Sequence, residues 1–99
     1  LTKNFKYIIN VNNAHESVGG QPTCAKNLDI VKILMACGFK KVITAKTEKE
    51  ITLAMKELKE NSKVALVLYT KQGSREDLGR PTTTPIENKE ALMKNLGVK

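Results

Sequence analysis

The stretch VALVLYT, Val64 to Thr70, decides the fold of this 99-residue chain. From Val64 to Tyr69 every residue is apolar or aromatic, so both faces of a strand formed here are apolar. A strand with one face in water instead alternates apolar and polar residues, whereas a strand of a parallel sheet is covered on both sides. We therefore predict an α/β protein in which this strand is sandwiched between helices.

Two further strand-like runs, Lys6–Val11 and Lys41–Ala45, precede this stretch, and three helix-like segments alternate with the three strands. This alternation predicts βα units, and hence a mostly parallel sheet with flanking helices. The first helix is expected from about Asn27 to Cys37, with Gly38 as its stop. The apolar face predicted for it consists of Leu28, Val31, Leu34 and Met35.

The second and third helices carry strong start signals. Thr47 precedes Glu50 by three residues and Thr84 precedes Glu87 by three, the spacing of a capping box. Pro85 fits the first helical position, and Gly97 predicts an end near Leu96. The apolar face predicted for the second helix consists of Ile51, Ala54, Met55 and Leu58.

Composition excludes several classes of protein. The longest apolar run is Val64–Tyr69, far short of the roughly 20 residues of a membrane helix, and no signal peptide is visible. We therefore expect no membrane partner and a cytoplasmic location, with Cys24 and Cys37 as free thiols rather than a disulfide. The net charge of +7 comes from dispersed lysines with few aromatic residues beside them, so no nucleic-acid partner is expected.

The segment Asn10–Thr23 follows the first strand and is rich in small and polar residues. Ligands of parallel α/β sheets bind beyond the carboxyl ends of the strands, where this segment lies. Asparagine oxygens suit magnesium, and the Gly19-Gly20 pair permits close approach of an anion. Taken alone, these residues favour a plain connecting loop over a binding site.

Two motifs carry a more specific signal. The stretch NNAHESVGGQPT (residues 12–23) and the stretch GSREDLGRPTTTPIENKEALMKNL (residues 73–96) resemble segments of phosphonopyruvate decarboxylases, which depend on thiamine diphosphate. The resemblance covers essentially the whole chain. It implies the C-terminal half of a pyrophosphate-binding domain, with residues 1–99 forming a single fragment of a much longer, homo-oligomeric polypeptide. The Gly-Asp-Gly that opens the family's cofactor motif is absent here, as is its pyrimidine-binding domain.

The resemblance also implies roles for individual residues. Asn12 and the backbone carbonyl of Ala14 would bind magnesium, although counting forward from the strand makes Asn13 the alternative ligand. Asn12, Asn13 and Ser17 would contact the cofactor, Glu16 could fix the loop, and His15 could protonate or hydrogen-bond an intermediate. A satisfied loop histidine is the other interpretation of His15.

Arg75 and Arg80 are the only arginines, and a guanidinium can bind a phosphonate through two parallel N–H donors. Both are therefore candidates for substrate binding, with surface salt bridging as the alternative. The leading hypothesis is a decarboxylase that converts 3-phosphonopyruvate to phosphonoacetaldehyde and carbon dioxide with thiamine diphosphate and magnesium. The alternatives are a decarboxylase of sulfopyruvate or another 2-oxo acid, and a basic α/β module that binds nucleotides or RNA.

Overall fold

The computed structural model describes residues 3–99, which form one three-stranded parallel sheet, a small hairpin and three α-helices. The α/β class and the parallel sheet predicted from the sequence are confirmed. In chain order the elements are β1 (Lys6–Val11), β2 (Ala14–His15), β3 (Gln21–Pro22), α1 (Ile30–Ala36), β4 (Lys41–Ala45), α2 (Glu48–Glu57), β5 (Val64–Tyr69) and α3 (Pro85–Leu96).

The strand β5 lies at the centre of the sheet, in the order β1-β5-β4. Its first four residues are the most deeply buried run of the chain, with 0–1% of each exposed. Ala65 and Val67 pack with Leu34 of α1 on one face of the sheet. Val64 and Leu66 pack with Ala54 of α2 on the other. The apolar pattern on both faces of β5 therefore reflects one helix on each side.

The first helix begins later than the sequence predicted. Asn27 belongs to a separate 3-10 turn, Cys24–Asn27, and Leu28 is extended. Asp29 caps α1 by accepting a hydrogen bond from the Lys32 backbone N–H at 3.1 Å. The start at Asn27 was wrong because Asn27 ends the 3-10 turn and the chain is extended at Leu28, so that Asp29 becomes the N-cap.

The later start also corrects the apolar face of α1. Ile30 and Leu34, four residues apart, meet the sheet, whereas Met35 is half-exposed and Leu28 lies outside the helix. The predicted stop is confirmed: Gly38, at φ +98°, follows α1, and its N–H bonds to the Met35 carbonyl at 3.0 Å.

Both predicted capping boxes are present, at Thr47 and Glu50 of α2 and at Thr84 and Glu87 of α3. The packing of the two helices differs. Ala54 and Leu58, toward the end of α2, are buried. Ile51 and Met55 stay partly exposed, because the three-stranded sheet covers only part of the apolar face of this helix. α3 buries none of its residues.

The carboxyl ends of β1 and β5 lie side by side. Val11 pairs with Tyr69, and the Thr70 N–H donates to the Val11 carbonyl at 2.9 Å. The loops that follow these strands, residues 12–23 and residues 70–84, therefore leave the same edge of the sheet, and we name them the β1 loop and the β5 loop. Within residues 3–99, no helix is long and apolar enough to cross a membrane.

Candidate functional site

The two adjacent asparagines of the β1 loop have different structural tasks. Asn13 has φ +60°, the left-handed conformation that asparagine tolerates better than most residues, and its carbonyl accepts the Thr23 N–H at 3.0 Å. The side chain of Asn12 is held instead: its Oδ1 accepts the Ala14 N–H at 3.3 Å and its Nδ2 donates to Glu16 Oε2 at 2.7 Å. Asn12 is therefore the asparagine with a defined side-chain orientation.

The β1 loop folds back on itself as a hairpin that the sequence did not predict. Ala14 and His15 pair antiparallel with Pro22 and Gln21, around a 3-10 turn at residues 16–18. Gly19 closes the turn at φ +124°, and a Cβ there would come within 2.9 Å of the Gln21 side chain. This glycine is thus explained by the turn itself, without a ligand.

The Asn13 carbonyl accepts the Thr23 N–H from across the hairpin, so the Ala14 carbonyl, one residue on, points away from the opposing strand. The N–H and C=O of one strand residue point to the same side, and the Ala14 N–H points to Asn12. The Ala14 carbonyl and the Asn12 amide therefore lie on one side of the hairpin.

These two groups are neutral oxygen donors, which fit a hard cation such as magnesium. No cluster of three or more His, Cys, Asp or Glu side chains able to hold a metal occurs in residues 3–99. A magnesium ion at this position would therefore take its remaining ligands from phosphates, water or another segment. The donor set fits the predicted group, and the metal roles of Asn12 and Ala14 stay predictions.

The side chains of His15 and Ser17 are exposed beside this pair of oxygens. They lie in the same loop as Asn12, Asn13 and Ala14, so five of the predicted site residues fall within six positions of the chain. His15 lies on the surface, so its imidazole is accessible from solvent. It is free to meet a bound molecule, and its predicted role stays a prediction.

From the sequence, Glu16 is expected only to fix the loop, and the structure shows the contacts by which it does so. Its Oε2 accepts from Asn12 Nδ2, and its Oε1 accepts from the backbone N–H of Gly73 in the β5 loop. The carboxylate therefore bridges the two loops at the sheet edge. The contact to Gly73 spans 57 positions of the chain, so no local sequence signal could have found it.

The two arginines of the β5 loop differ in their ion pairing. Arg75 forms a two-pronged ion pair with Asp77, with Nε–Oδ1 at 2.9 Å and Nη2–Oδ2 at 2.7 Å. The pair lowers the pKa of the Asp77 carboxyl and raises that of the guanidinium. Within residues 3–99, Arg80 forms no ion pair.

A cavity of about 360 Å³ lies within the β5 loop, lined by Ser74, Arg75, Glu76, Leu78, Gly79 and Arg80. At the carboxyl edge of the sheet, Lys46, which follows β4, places its Nζ 5.4 Å from the centre of the Tyr69 ring. A second cavity, of about 310 Å³, is lined by Lys3, Lys40, Asn61, Ser62 and Lys63 at the opposite, amino-terminal ends of β4 and β5. The predicted site residues are absent from that second cavity.

The fold and these loops together define an α/β unit with neutral oxygen donors and cations at the carboxyl edge of a parallel sheet. Comparison with known proteins adds the particular relatives. The chain is 31% identical over 85 residues to phosphonopyruvate decarboxylases of Streptomyces viridochromogenes and of Streptomyces hygroscopicus. The resemblance predicted from the two motifs is therefore confirmed.

Each match covers 85% of this chain and 21% of the relative, so the chain spans about a fifth of the length of these enzymes. No protein-family profile matches the chain. No solved structure matches it either. The similarity is to a fifth of proteins named phosphonopyruvate decarboxylase, and the reaction of this protein is argued from its residues.

Proposed function

We propose that this chain supplies part of the magnesium and thiamine-diphosphate site of a decarboxylase that converts 3-phosphonopyruvate to phosphonoacetaldehyde and carbon dioxide. The observation that carries the proposal is the pair of oxygens, Asn12 Oδ1 and the Ala14 carbonyl, on one side of a hairpin at the carboxyl end of β1. The similarity to two phosphonopyruvate decarboxylases supports the substrate.

In this proposal the residues of the chain bind and orient. When bound, thiamine diphosphate supplies the carbon that adds to a 2-oxo acid and takes up the electrons released as carbon dioxide leaves. Asn12 and Ala14 would hold a magnesium ion that neutralises the diphosphate, and Asn13 gives the loop its left-handed turn between them. Ser17 offers an exposed hydroxyl to the phosphates, and His15 offers a proton to the reacting substrate.

The phosphonate of the substrate is a dianion that pyruvate lacks, so a selective enzyme needs an additional cation. Arg75 already donates two of its N–H groups to Asp77, whereas Arg80 has no carboxylate partner within residues 3–99. This difference favours Arg80 as the phosphonate ligand and gives Arg75 a supporting part. We extend the proposal to a cytoplasmic homo-oligomer in which a pyrimidine-binding domain outside this chain completes the site.

The direct experiment replaces the matched segment of the S. viridochromogenes enzyme with this chain and measures carbon dioxide release from phosphonopyruvate, sulfopyruvate and pyruvate. We expect the chimera to act on phosphonopyruvate first, with magnesium and thiamine diphosphate required. The 99 residues alone should release none, because they contain no Gly-Asp-Gly and no pyrimidine-binding domain.

A folded chimera without activity would contradict the proposal, and preference for sulfopyruvate would establish the alternative substrate. Salt-sensitive RNA binding by the 99-residue chain would instead favour a basic binding module.

A further inference from the structure

We propose that Glu16 is a positioning residue that sets the orientation of the Asn12 amide and ties the β5 loop to it. The inference rests on the proposed function for its effect on the metal, and on the structure alone for the contacts. The two carboxylate oxygens of Glu16 contact both loops, one through Asn12 Nδ2 and the other through the Gly73 N–H.

The orientation of an asparagine amide is decided by its hydrogen-bond partners, because its oxygen and nitrogen ends have almost the same shape. An ionised carboxylate only accepts, so only the Nδ2 end of Asn12 can face Glu16 at 2.7 Å. The Oδ1 end must then point away from Glu16, on the side of the Ala14 N–H. A carboxylate behind the ligand thus presents the oxygen, and not the nitrogen, to a cation, as groups behind metal ligands commonly do.

The second oxygen acts on the β5 loop. Gly73 has φ +103°, a conformation that favours glycine, and its N–H faces Glu16. Arg75 and Arg80 follow Gly73 along the same loop. The Glu16 carboxylate therefore fixes two groups. One is the start of the β5 loop, which carries the arginines proposed to bind the phosphonate, and the other is the Asn12 amide, whose oxygen is proposed to bind the metal.

Glutamine at position 16 tests this arrangement because it has one acceptor oxygen where glutamate has two. In Glu16→Gln, that oxygen can face Asn12 or Gly73, and the amide nitrogen then opposes a donor at the other contact. Aspartate keeps both acceptors on a shorter stem and should restore part of the effect. Glu76→Gln is the matched control, since Glu76 lies exposed in the β5 loop, as Gly73 does, but takes no part in these two contacts.

The first measurement uses the 99-residue chain and needs no ligand. In Glu16→Gln, nuclear magnetic resonance should show the Gly73 amide exchanging with solvent about tenfold faster, or the Asn12 side-chain amide shifted, the effect of losing one charge-assisted bond. Glu76→Gln should change neither signal. Unchanged Gly73 and Asn12 signals in Glu16→Gln would overturn the bridge, whatever the function of the protein.

The second measurement uses the chimera and separates positioning from a general structural effect. Glu16→Gln should raise the magnesium concentration that half-saturates cofactor binding by about tenfold or more, within the range seen when a group behind a metal ligand is lost. On an Asn12→Ala background the same substitution should add little, because Glu16 acts through Asn12. Equal effects on both backgrounds would overturn the positioning role. An inactive unsubstituted chimera would count against the proposed function and leave the exchange result standing.

Discussion

The β1 loop and the β5 loop leave the same edge of the sheet, but they are held in different ways. The β1 loop is closed by a hairpin and by backbone bonds such as Thr23 N–H to the Asn13 carbonyl. Between residues 71 and 82, the contacts that the structure describes for the β5 loop are a two-pronged ion pair, Arg75 with Asp77, and the bond from the Gly73 N–H to Glu16. A loop held by its backbone can present neutral metal ligands in advance, whereas a loop held by charges can adjust to an anion.

The largest expected effect is a loss of metal and cofactor affinity on substitution in the β1 loop, which its backbone hydrogen bonds hold in place. In the chimera, Asn12→Ala should weaken magnesium and thiamine-diphosphate binding by about a hundredfold, on the order of a few kcal/mol, while the melting temperature changes little. The physical reason is the loss of one oxygen that the Glu16 contact already orients. Isothermal titration with magnesium and thiamine diphosphate measures it.

Asn61→Ala is the matched control for Asn12→Ala, since Asn61 is exposed and lines the cavity at the opposite end of the sheet. A comparable loss of affinity in both variants would show that the effect is general. Full affinity in Asn12→Ala, together with a loss in Asn13→Ala, would transfer the metal role to Asn13.

The next largest effect concerns the loop held by charges. Arg80→Ala in the chimera should raise the Michaelis constant for phosphonopyruvate by about tenfold or more, the effect of one charge-assisted bond, without changing thiamine-diphosphate affinity. Arg75→Ala should raise it less, because that guanidinium is already engaged by Asp77. Steady-state kinetics with phosphonopyruvate and pyruvate compare the two.

The reverse order of the two arginines would indicate that Asp77 orients Arg75 toward the substrate. If neither variant alters the kinetics but both melt at lower temperature, these arginines are structural and the phosphonate is bound elsewhere.

The two loops also mark what the sequence could and could not predict. Local signals were sufficient where both partners lie within a few residues, as in the capping boxes at Thr47 and Thr84. They were sufficient for β5 because its apolar run fits only a strand buried on both faces. The order β1-β5-β4, in contrast, depends on crossovers between distant segments, and the sequence did not specify it.

The parts of the site that were missed depend on contacts over distance or on very short elements. The hairpin of the β1 loop has two residues per strand, too few for a periodic pattern. Glu16 and Gly73 meet across the sheet edge, and only the parallel pairing of β1 with β5 brings them together. The motifs predicted which segments form the site, and the sheet determines how they meet.

A smaller effect is expected at the helix caps that follow the loops. Asp29 caps α1, whose Leu34 is buried in the core, whereas Thr84 ends the β5 loop and caps α3, which buries none of its residues. In the 99-residue chain, Asp29→Ala should lower the urea midpoint of global unfolding. Thr84→Ala should leave that midpoint unchanged but speed exchange of the α3 amides about fivefold, the effect of losing about 1 kcal/mol of capping.

Circular dichroism and hydrogen exchange measure the two effects of these caps. A drop of the global midpoint in Thr84→Ala would show that α3 packs on the rest of the chain in solution. An unchanged midpoint in Asp29→Ala would show that α1 can begin without its aspartate.

The smallest expected effect is a pKa shift in the loop held by charges. Arg75 lowers the pKa of the Asp77 carboxyl, chiefly through their side-chain hydrogen bonds. The stabilisation from this pair is therefore present above the carboxyl's ordinary value of 3.8 and is lost as the pH falls through the lowered pKa. Arg75→Ala should raise the Asp77 pKa toward 3.8, as followed by the carboxyl carbon resonance in the 99-residue chain.

Concentrated salt should raise the Asp77 pKa in the same way in the unsubstituted chain, because both side chains are more than 70% exposed and their attraction is screened. The backbone bonds of the β1 loop, such as the Thr23 N–H to Asn13, should not respond to salt, since no charge contributes to them. An Asp77 pKa that is unaltered by both changes would show that the β5 loop is not held by this pair, and would leave the contact of Gly73 with Glu16 to hold residues 71–82 at the sheet edge.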